Sequence, residues 1–105
     1  MIFDKYCVNK ILNGEKTVTR RIPNDRRPAI PGKIHKLKID RTKKTFGLIL
    51  IRDCYLDFVK DIDDNEAKKE GFESRQEYIE YFMDINNIDI LNDWDLLWRV
   101  EFELI

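Results

Sequence analysis

Residues 14–21 (GEKTVTRR) bring a lysine, two threonines and two arginines into one short segment of the chain. A hydroxyl beside a lysine is a pairing used in nucleophilic catalysis, where the amine takes the proton of the attacking hydroxyl. Side chains alternate along a strand, so Lys16 and Thr19 meet only if Lys16 lies in the turn before the strand. On residue types alone, a solvated and charged edge strand is the commoner structure for such a segment.

Glu70 is a second candidate for chemistry, because it stands in the last turn of a predicted helix, directly before Gly71. The helix dipole is unfavourable to an anion at that end, which hints that another part of the chain holds the carboxylate. The structural alternative is an ordinary helix end beside Lys68 and Lys69.

The histidine, cysteines and tryptophans favour structural roles. His35 is the single histidine and lies on a basic strand, which is typical of a solvated side chain. Cys7 and Cys54 lie in apolar stretches, as small buried hydrophobes do. Trp94 and Trp98 are able to stack on a base, although packing in the core or at its rim is the commoner role for Trp98.

The length of the chain predicts one domain, residues 1–105. Hydrophobic periodicity predicts the element order α-β-β-β-α-α-β. The predicted helices are 3–12, 63–70 and 74–85, and the predicted strands are 17–21, 33–39, 45–60 and 97–105. The apolar run at 46–51 indicates a strand buried on both sides, and the three prolines place an exposed loop at 22–32. Few strands and grouped helices are typical of the α+β class, with a small twisted sheet or barrel and flanking helices.

Composition excludes several classes of protein. No apolar run approaches a membrane helix, and no signal peptide is expected. Two cysteines without a Cys-x-x-Cys pair, and an acidic run at 61–64 without EF-hand spacing, predict no metal site and a cytoplasmic location. No glycine-rich phosphate loop occurs, and no cofactor is expected.

Charge is divided unevenly along the chain. The formal net charge is −1, but residues 1–52 hold 14 Lys and Arg against 4 Asp and Glu, whereas residues 53–105 hold 5 against 16. The basic half suggests a surface for RNA, although a pI near 5.9 is far below that of a dedicated nucleic-acid binder.

Residues 14–21 resemble the G-x-K-T-x-T-x-R signature of ASCH domains, a group of the PUA-like superfamily. Residues 70–78 (EGFESRQEY) resemble the family's E-G-F-x-S-x-x-E-F segment. The turn at 31–33 resembles the family's turn before the second strand, with Lys33 in place of the usual acid. The resemblance covers nearly the whole chain.

This resemblance implies a β-barrel with flanking helices and a cleft that faces RNA or a nucleoside. Small ASCH proteins of this length include bacterial amidohydrolases that remove acetate from the exocyclic amine of N4-acetylcytidine. By this resemblance, Lys16 accepts a proton, Thr19 is the nucleophile and Glu70 donates a proton. Arg21 would bind or orient the substrate, and Arg20 and Thr17 are further substrate-binding candidates.

Two alternatives stay open beside an amidohydrolase: a non-catalytic RNA-binding ASCH or PUA-like module, and an RNA-cleaving ASCH protein. The loop at 22–31, with its Arg26-Arg27 pair, departs from the shortest amidohydrolases and would reshape the cleft. The expected partners are a modified nucleoside or RNA, with the chain a monomer or a weak homodimer. A site assembled across the two halves requires Glu70 to meet the cations of residues 16–21.

Overall fold

The computed structural model describes residues 1–40 and 44–105. Within them, the elements in chain order are β1 (Ile2–Phe3), α1 (Lys5–Leu12), β2 (Val18–Arg21), β3 (Ile34–Ile39), β4 (Thr45–Phe58), a short 3-10 helix (Val59–Asp61), α2 (Asp64–Lys69), α3 (Arg75–Ile85) and β5 (Leu96–Leu104). The predicted α+β class is confirmed. Strand β1 and the 3-10 helix were not expected from the sequence.

Capping side chains set the starts of the three α-helices. Asp4, Asp63 and Ser74 each accept a hydrogen bond from the backbone N–H three residues ahead, at 2.7, 2.8 and 3.2 Å. Such caps satisfy donors that the first helical turn leaves free. Gly14 and Gly71 follow the ends of α1 and α2 with φ of +85° and +93°, the left-handed region that glycine adopts without strain.

The five strands form one sheet in the order β1-β3-β4-β5-β2. Strands β1 and β3 are parallel, and the other neighbouring pairs are antiparallel. The sheet curls into a half-barrel, so the predicted small barrel is present in an open form. At its seam, Arg21 Nη2 of β2 donates to the Ile2 carbonyl of β1 at 3.0 Å. This side-chain contact links the two edge strands.

Strand β4 differs from the prediction that both of its faces are buried. Ile49 and Ile51 point into the core, whereas Leu48 is 40% exposed. The prediction was wrong because helices cover one face of the curled sheet and leave the outer face of β4 in solvent. The pairing of β4 with β5 shifts register between Ile51 and Asp53.

Two groups of buried apolar residues hold the layers together. The first packs α1 against the sheet and includes Val8, Ile11, Leu37, Ile49 and Val100. The second joins α2, α3 and the start of β5 and includes Ala67, Phe72, Tyr78, Phe82 and Leu97. The turn before β2 and the C-terminal end of α2 are thereby brought side by side.

Candidate active site

The turn that carries Lys16 is fixed by its backbone. The N–H groups of Glu15 and Lys16 donate to the Lys10 carbonyl of α1, at 2.9 and 3.1 Å. The Thr17 N–H donates to the Lys69 carbonyl of α2 at 2.8 Å. Lys16 therefore lies before β2, outside the alternation of the strand, and its side chain turns inward with only 3% of the residue exposed.

Lys16 and Glu70 form a buried ion pair. Lys16 Nζ lies 2.6 Å from Glu70 Oε1 and also donates to the carbonyls of Val18 at 2.8 Å and Glu70 at 3.3 Å. Three acceptors match the three N–H bonds of an ammonium group. Glu70 is 1% exposed. The contact expected between the basic first half and an acid of the second half is present.

Arg20 shares the Glu70 carboxylate with Lys16. Its Nη1 lies 3.0 Å from Glu70 Oε2, while its Nη2 lies 2.6 Å from Glu66 Oε1 and 3.6 Å from Asp57 Oδ2. Burial lowers the pKa of Arg20, but the charges of Glu70 and Glu66 outweigh this effect and raise it. Arg20, a substrate-binding candidate from the sequence, thus directs Nη1 and Nη2 to protein carboxylates, whereas its buried Nε has no hydrogen-bond partner among the described residues.

Glu66 forms ion pairs with three basic side chains, one of which is Arg20 of the site. Its carboxylate accepts from Arg99 Nε at 2.6 Å, from Arg20 at 2.6 Å and from Lys69 at 3.1 Å. Burial would raise the pKa of Glu66, but hydrogen bonds from Arg99, Arg20 and Lys69 lower it from 4.5 to about 2. The sequence analysis did not identify Glu66. The feature that could have indicated it is its spacing of four residues from Glu70, which places both side chains on one face of the helix.

The depressed pKa of Glu66 predicts a loss of stability in acid. The unfolded chain binds this proton more readily, so the contribution is complete above pH 4.5 and is lost as the pH falls from 4.5 towards 2. We expect the free energy of unfolding to fall less over this range in Glu66→Gln than in the wild type. Urea unfolding at about pH 7, 4.5 and 3 measures the difference.

Glu73→Gln is the matched control for this experiment, because Glu73 is exposed and makes no ion pair among the described residues. Its pH profile should follow that of the wild type. Parallel profiles for the wild type and Glu66→Gln would contradict the role given to Glu66.

A cavity of about 470 Å³ opens beside the ion pair. This size is within the range of small-molecule sites. The side chains that line it are Ile2, Phe3, Asp4, Cys7, Lys16, Thr19, Arg20, Arg21, Asp40, Glu70, Tyr78, Tyr81, Phe82, Ile85 and Asn86. Five of the six site residues predicted from the sequence are therefore brought together. Thr17 is exposed and outside this lining, and its backbone ties β2 to α2 and β5.

Aromatic side chains, among them Tyr78 and Tyr81, also line the cavity. Tyr81 donates to Asp4 Oδ2 and lies 3.1 Å from Cys7 Sγ. Burial, with acceptance by Asp4, raises the pKa of Tyr81, and burial beside Glu70 raises that of Tyr78. Burial also raises the pKa of the Cys7 thiol, which opposes its use as a nucleophile.

Other residues singled out in the sequence lie outside this cavity. His35 and Trp98 line neighbouring cavities, and Trp94 is exposed and packs edge-on against Phe58. Cys54 is buried in β4.

Among residues 1–40 and 44–105, no cluster of three or more His, Cys, Asp or Glu side chains has a geometry for a metal ion. No helix in the same ranges is both long and apolar enough to cross a membrane.

No family model matches the sequence, and no curated protein matches it either. Solved structures do match. An ASCH domain from Lactobacillus crispatus JV V101 superposes with a TM-score of 0.72 at 18% identity, over 97% of this chain and 74% of that one. The chain has the fold of ASCH domains.

Two further solved structures agree with this ASCH fold. The hypothetical protein PH0355 has a TM-score of 0.68 at 16% identity, over 100% of this chain and 96% of that one. A variant of ZmASCH from Zymomonas mobilis has a TM-score of 0.64 at 18% identity, over 100% of this chain and 65% of that one. At such identities the similarity shows the fold of this ASCH-like chain, and its chemistry must be argued from the site.

Proposed function

We propose that this protein is an amidohydrolase that removes the acetyl group from N4-acetylcytidine or a related acylated nucleoside. The observation that carries the proposal is the buried Lys16–Glu70 pair, with 2.6 Å between its charged atoms, on a cavity that Thr19 also lines. A base, a hydroxyl and a proton donor on one cavity are the groups that hydrolysis of an amide needs.

Proton transfer within the ion pair would prepare both partners for this chemistry. Lysine in water is almost entirely protonated at pH 7, and a protonated lysine cannot take the proton of a hydroxyl. Movement of one proton from Nζ to Oε1, across their 2.6 Å hydrogen bond, converts Lys16 to a free amine and Glu70 to a carboxylic acid. One step thus creates the base and the acid together.

The reaction then follows in two stages. Lys16 takes the proton of the Thr19 hydroxyl as its oxygen attacks the acetyl carbonyl carbon. The carbon–nitrogen bond breaks, and Glu70 gives its proton to the departing exocyclic amine, which releases cytidine and leaves an acetyl ester on Thr19. In the second stage Glu70, now a carboxylate, takes a proton from water as the water oxygen attacks the ester carbon. Lys16 returns a proton to the Thr19 oxygen as the ester bond breaks, and acetic acid leaves, which restores Lys16 as an amine and Glu70 as an acid.

Charged side chains surround the ion pair. Arg20 Nη1 lies 3.0 Å from Glu70 Oε2, and Glu66 and Asp57 offset the charge of Arg20. Arg21 lines the same cavity and has no carboxylate partner among the described residues, which leaves it free to orient a polar substrate.

Incubation with N4-acetylcytidine tests the proposal. We expect release of cytidine and acetate, followed by chromatography, and an acetyl ester on Thr19 that mass spectrometry locates after rapid acid quenching. Thr45→Ala, which removes an exposed threonine at the start of β4, is the matched control and should retain turnover. Absence of turnover would contradict the proposal and would favour the alternative of an RNA-binding module without catalysis.

A further inference from the structure

A second cavity, of about 480 Å³, adjoins the first. Arg21 and Asn86 line both cavities, so the two share a wall. The second cavity is built mainly by the proline-containing segment after β2, which contributes Asn24, Arg26 and Arg27, and Trp98 of β5 also lines it.

The arginines that line the second cavity have no carboxylate partner among the described residues. Of the seven arginines that the structure describes, Arg20, Arg52, Arg75 and Arg99 each pair with a carboxylate. The other three are Arg21, Arg26 and Arg27, which make no ion pair with a described residue and all line the second cavity. Arg21 and Trp98 also carry buried N–H donors, Nε and Nε1, that lack a hydrogen-bond partner in the described part of the chain.

A third concave surface, of about 390 Å³, adjoins the second cavity. It shares Arg27 and Pro28 with the second cavity and adds Lys33 and His35. No aspartate or glutamate lines either the second or the third surface among the described residues. Asp25, the acid of the loop, is exposed and is not part of either lining.

We infer that this path, from Arg21 through Arg26 and Arg27 to Lys33, binds the phosphates of a single-stranded RNA whose acetylated cytidine occupies the first cavity. The inference rests on the proposed function and names its substrate as a nucleotide within RNA. Guanidinium groups bind phosphate through paired hydrogen bonds. Trp98 offers an aromatic surface beside them, the combination that single-stranded nucleic-acid sites use.

Turnover of matched substrates tests the inference. The probes are N4-acetylcytidine, its 5′-monophosphate, and an RNA of about five nucleotides with N4-acetylcytidine at its centre. We expect kcat/KM to be at least about tenfold higher for the RNA than for either smaller substrate. With about three phosphate contacts, binding of the RNA should weaken about 20-fold between about 50 and 200 mM salt.

Arg26→Ala locates the binding path, because this side chain is exposed and has no ion pair to lose within the described residues. The preference for RNA over the nucleoside should fall about fivefold, with a shallower salt dependence. Arg52→Ala is the matched control, since Arg52 is an exposed arginine paired with Glu103 at 2.7 Å and lines none of these surfaces. It should keep the preference of the wild type.

The outcomes separate the two proposals. Equal kcat/KM for the nucleoside and the RNA, or a preference that the monophosphate alone satisfies, would overturn the RNA path and leave the amidohydrolase intact. If no substrate is turned over, the amidohydrolase fails, and binding of a fluorescent RNA of the same length decides the rest. Salt-dependent binding that Arg26→Ala weakens then supports the path, and absence of binding overturns it.

Discussion

Replacing Lys16 by methionine is expected to lower kcat/KM for N4-acetylcytidine by about a thousandfold, because general base catalysis contributes about 10²- to 10⁴-fold. Lys16 Nζ is the amine on the cavity that Thr19 lines, and it sits 2.6 Å from the carboxylate proposed to exchange its proton. Methionine keeps the length of the side chain and removes the amine. Steady-state kinetics at about pH 7 measure the loss.

The variant Lys16→Arg distinguishes the loss of a proton acceptor from the loss of a positive charge. Arginine keeps a cation that can pair with Glu70, but it does not lose its proton in proteins. We therefore expect Lys16→Arg to be as inactive as Lys16→Met while remaining closer to the wild type in thermal stability. Lys36→Met, at an exposed lysine of β3, is the matched control and should keep its activity. An active Lys16→Arg would contradict the assignment of Lys16 as base.

The helix boundaries were largely predictable because they depend on local chemistry. Asp4, Asp63 and Ser74 cap their helices as their spacing indicates, and Gly14 and Gly71 end theirs. Strand β1 was not predictable, since two residues carry no periodic pattern and its pairing with β3 is decided by the fold. The prediction that the outer face of β4 is buried was wrong for a similar reason, because sequence alone does not show which face the helices cover.

The site was predictable only in part, for a comparable reason. Lys16, Thr19 and Glu70 stand in motifs that resemble ASCH signatures, and the fold brings all three to one cavity. Glu66 and Arg99 stood in no motif, and only the folded chain shows that Glu66 accepts hydrogen bonds from both Arg20 and Arg99. The charge division of the sequence also becomes clearer, since acids of the second half neutralise Lys16 and Arg20 but leave Arg21, Arg26 and Arg27 unpaired among the described residues.

Glu70→Gln is expected to have the largest effect on stability, about 3 to 5 kcal/mol in the free energy of unfolding, because loss of one partner leaves a buried charge without compensation. Glu70 is the carboxylate that Lys16 contacts, and carbonyl oxygens alone would remain around the ammonium group. Arg20 would keep Glu66. Urea unfolding measures the change, and Glu77→Gln, at an exposed position of α3, should change it by less than about 0.5 kcal/mol.

The two partners of the pair should not be equivalent. Lys16→Met leaves Glu70 beside Arg20 at 3.0 Å, so its carboxylate keeps a cation, whereas Glu70→Gln leaves Lys16 with none among the described residues. We therefore expect Glu70→Gln to destabilise the protein more than Lys16→Met. The double variant removes both charges, so its destabilisation should fall short of the sum of the single changes by about 1 to 3 kcal/mol. Strict additivity would show that the 2.6 Å contact contributes no coupling between the two side chains.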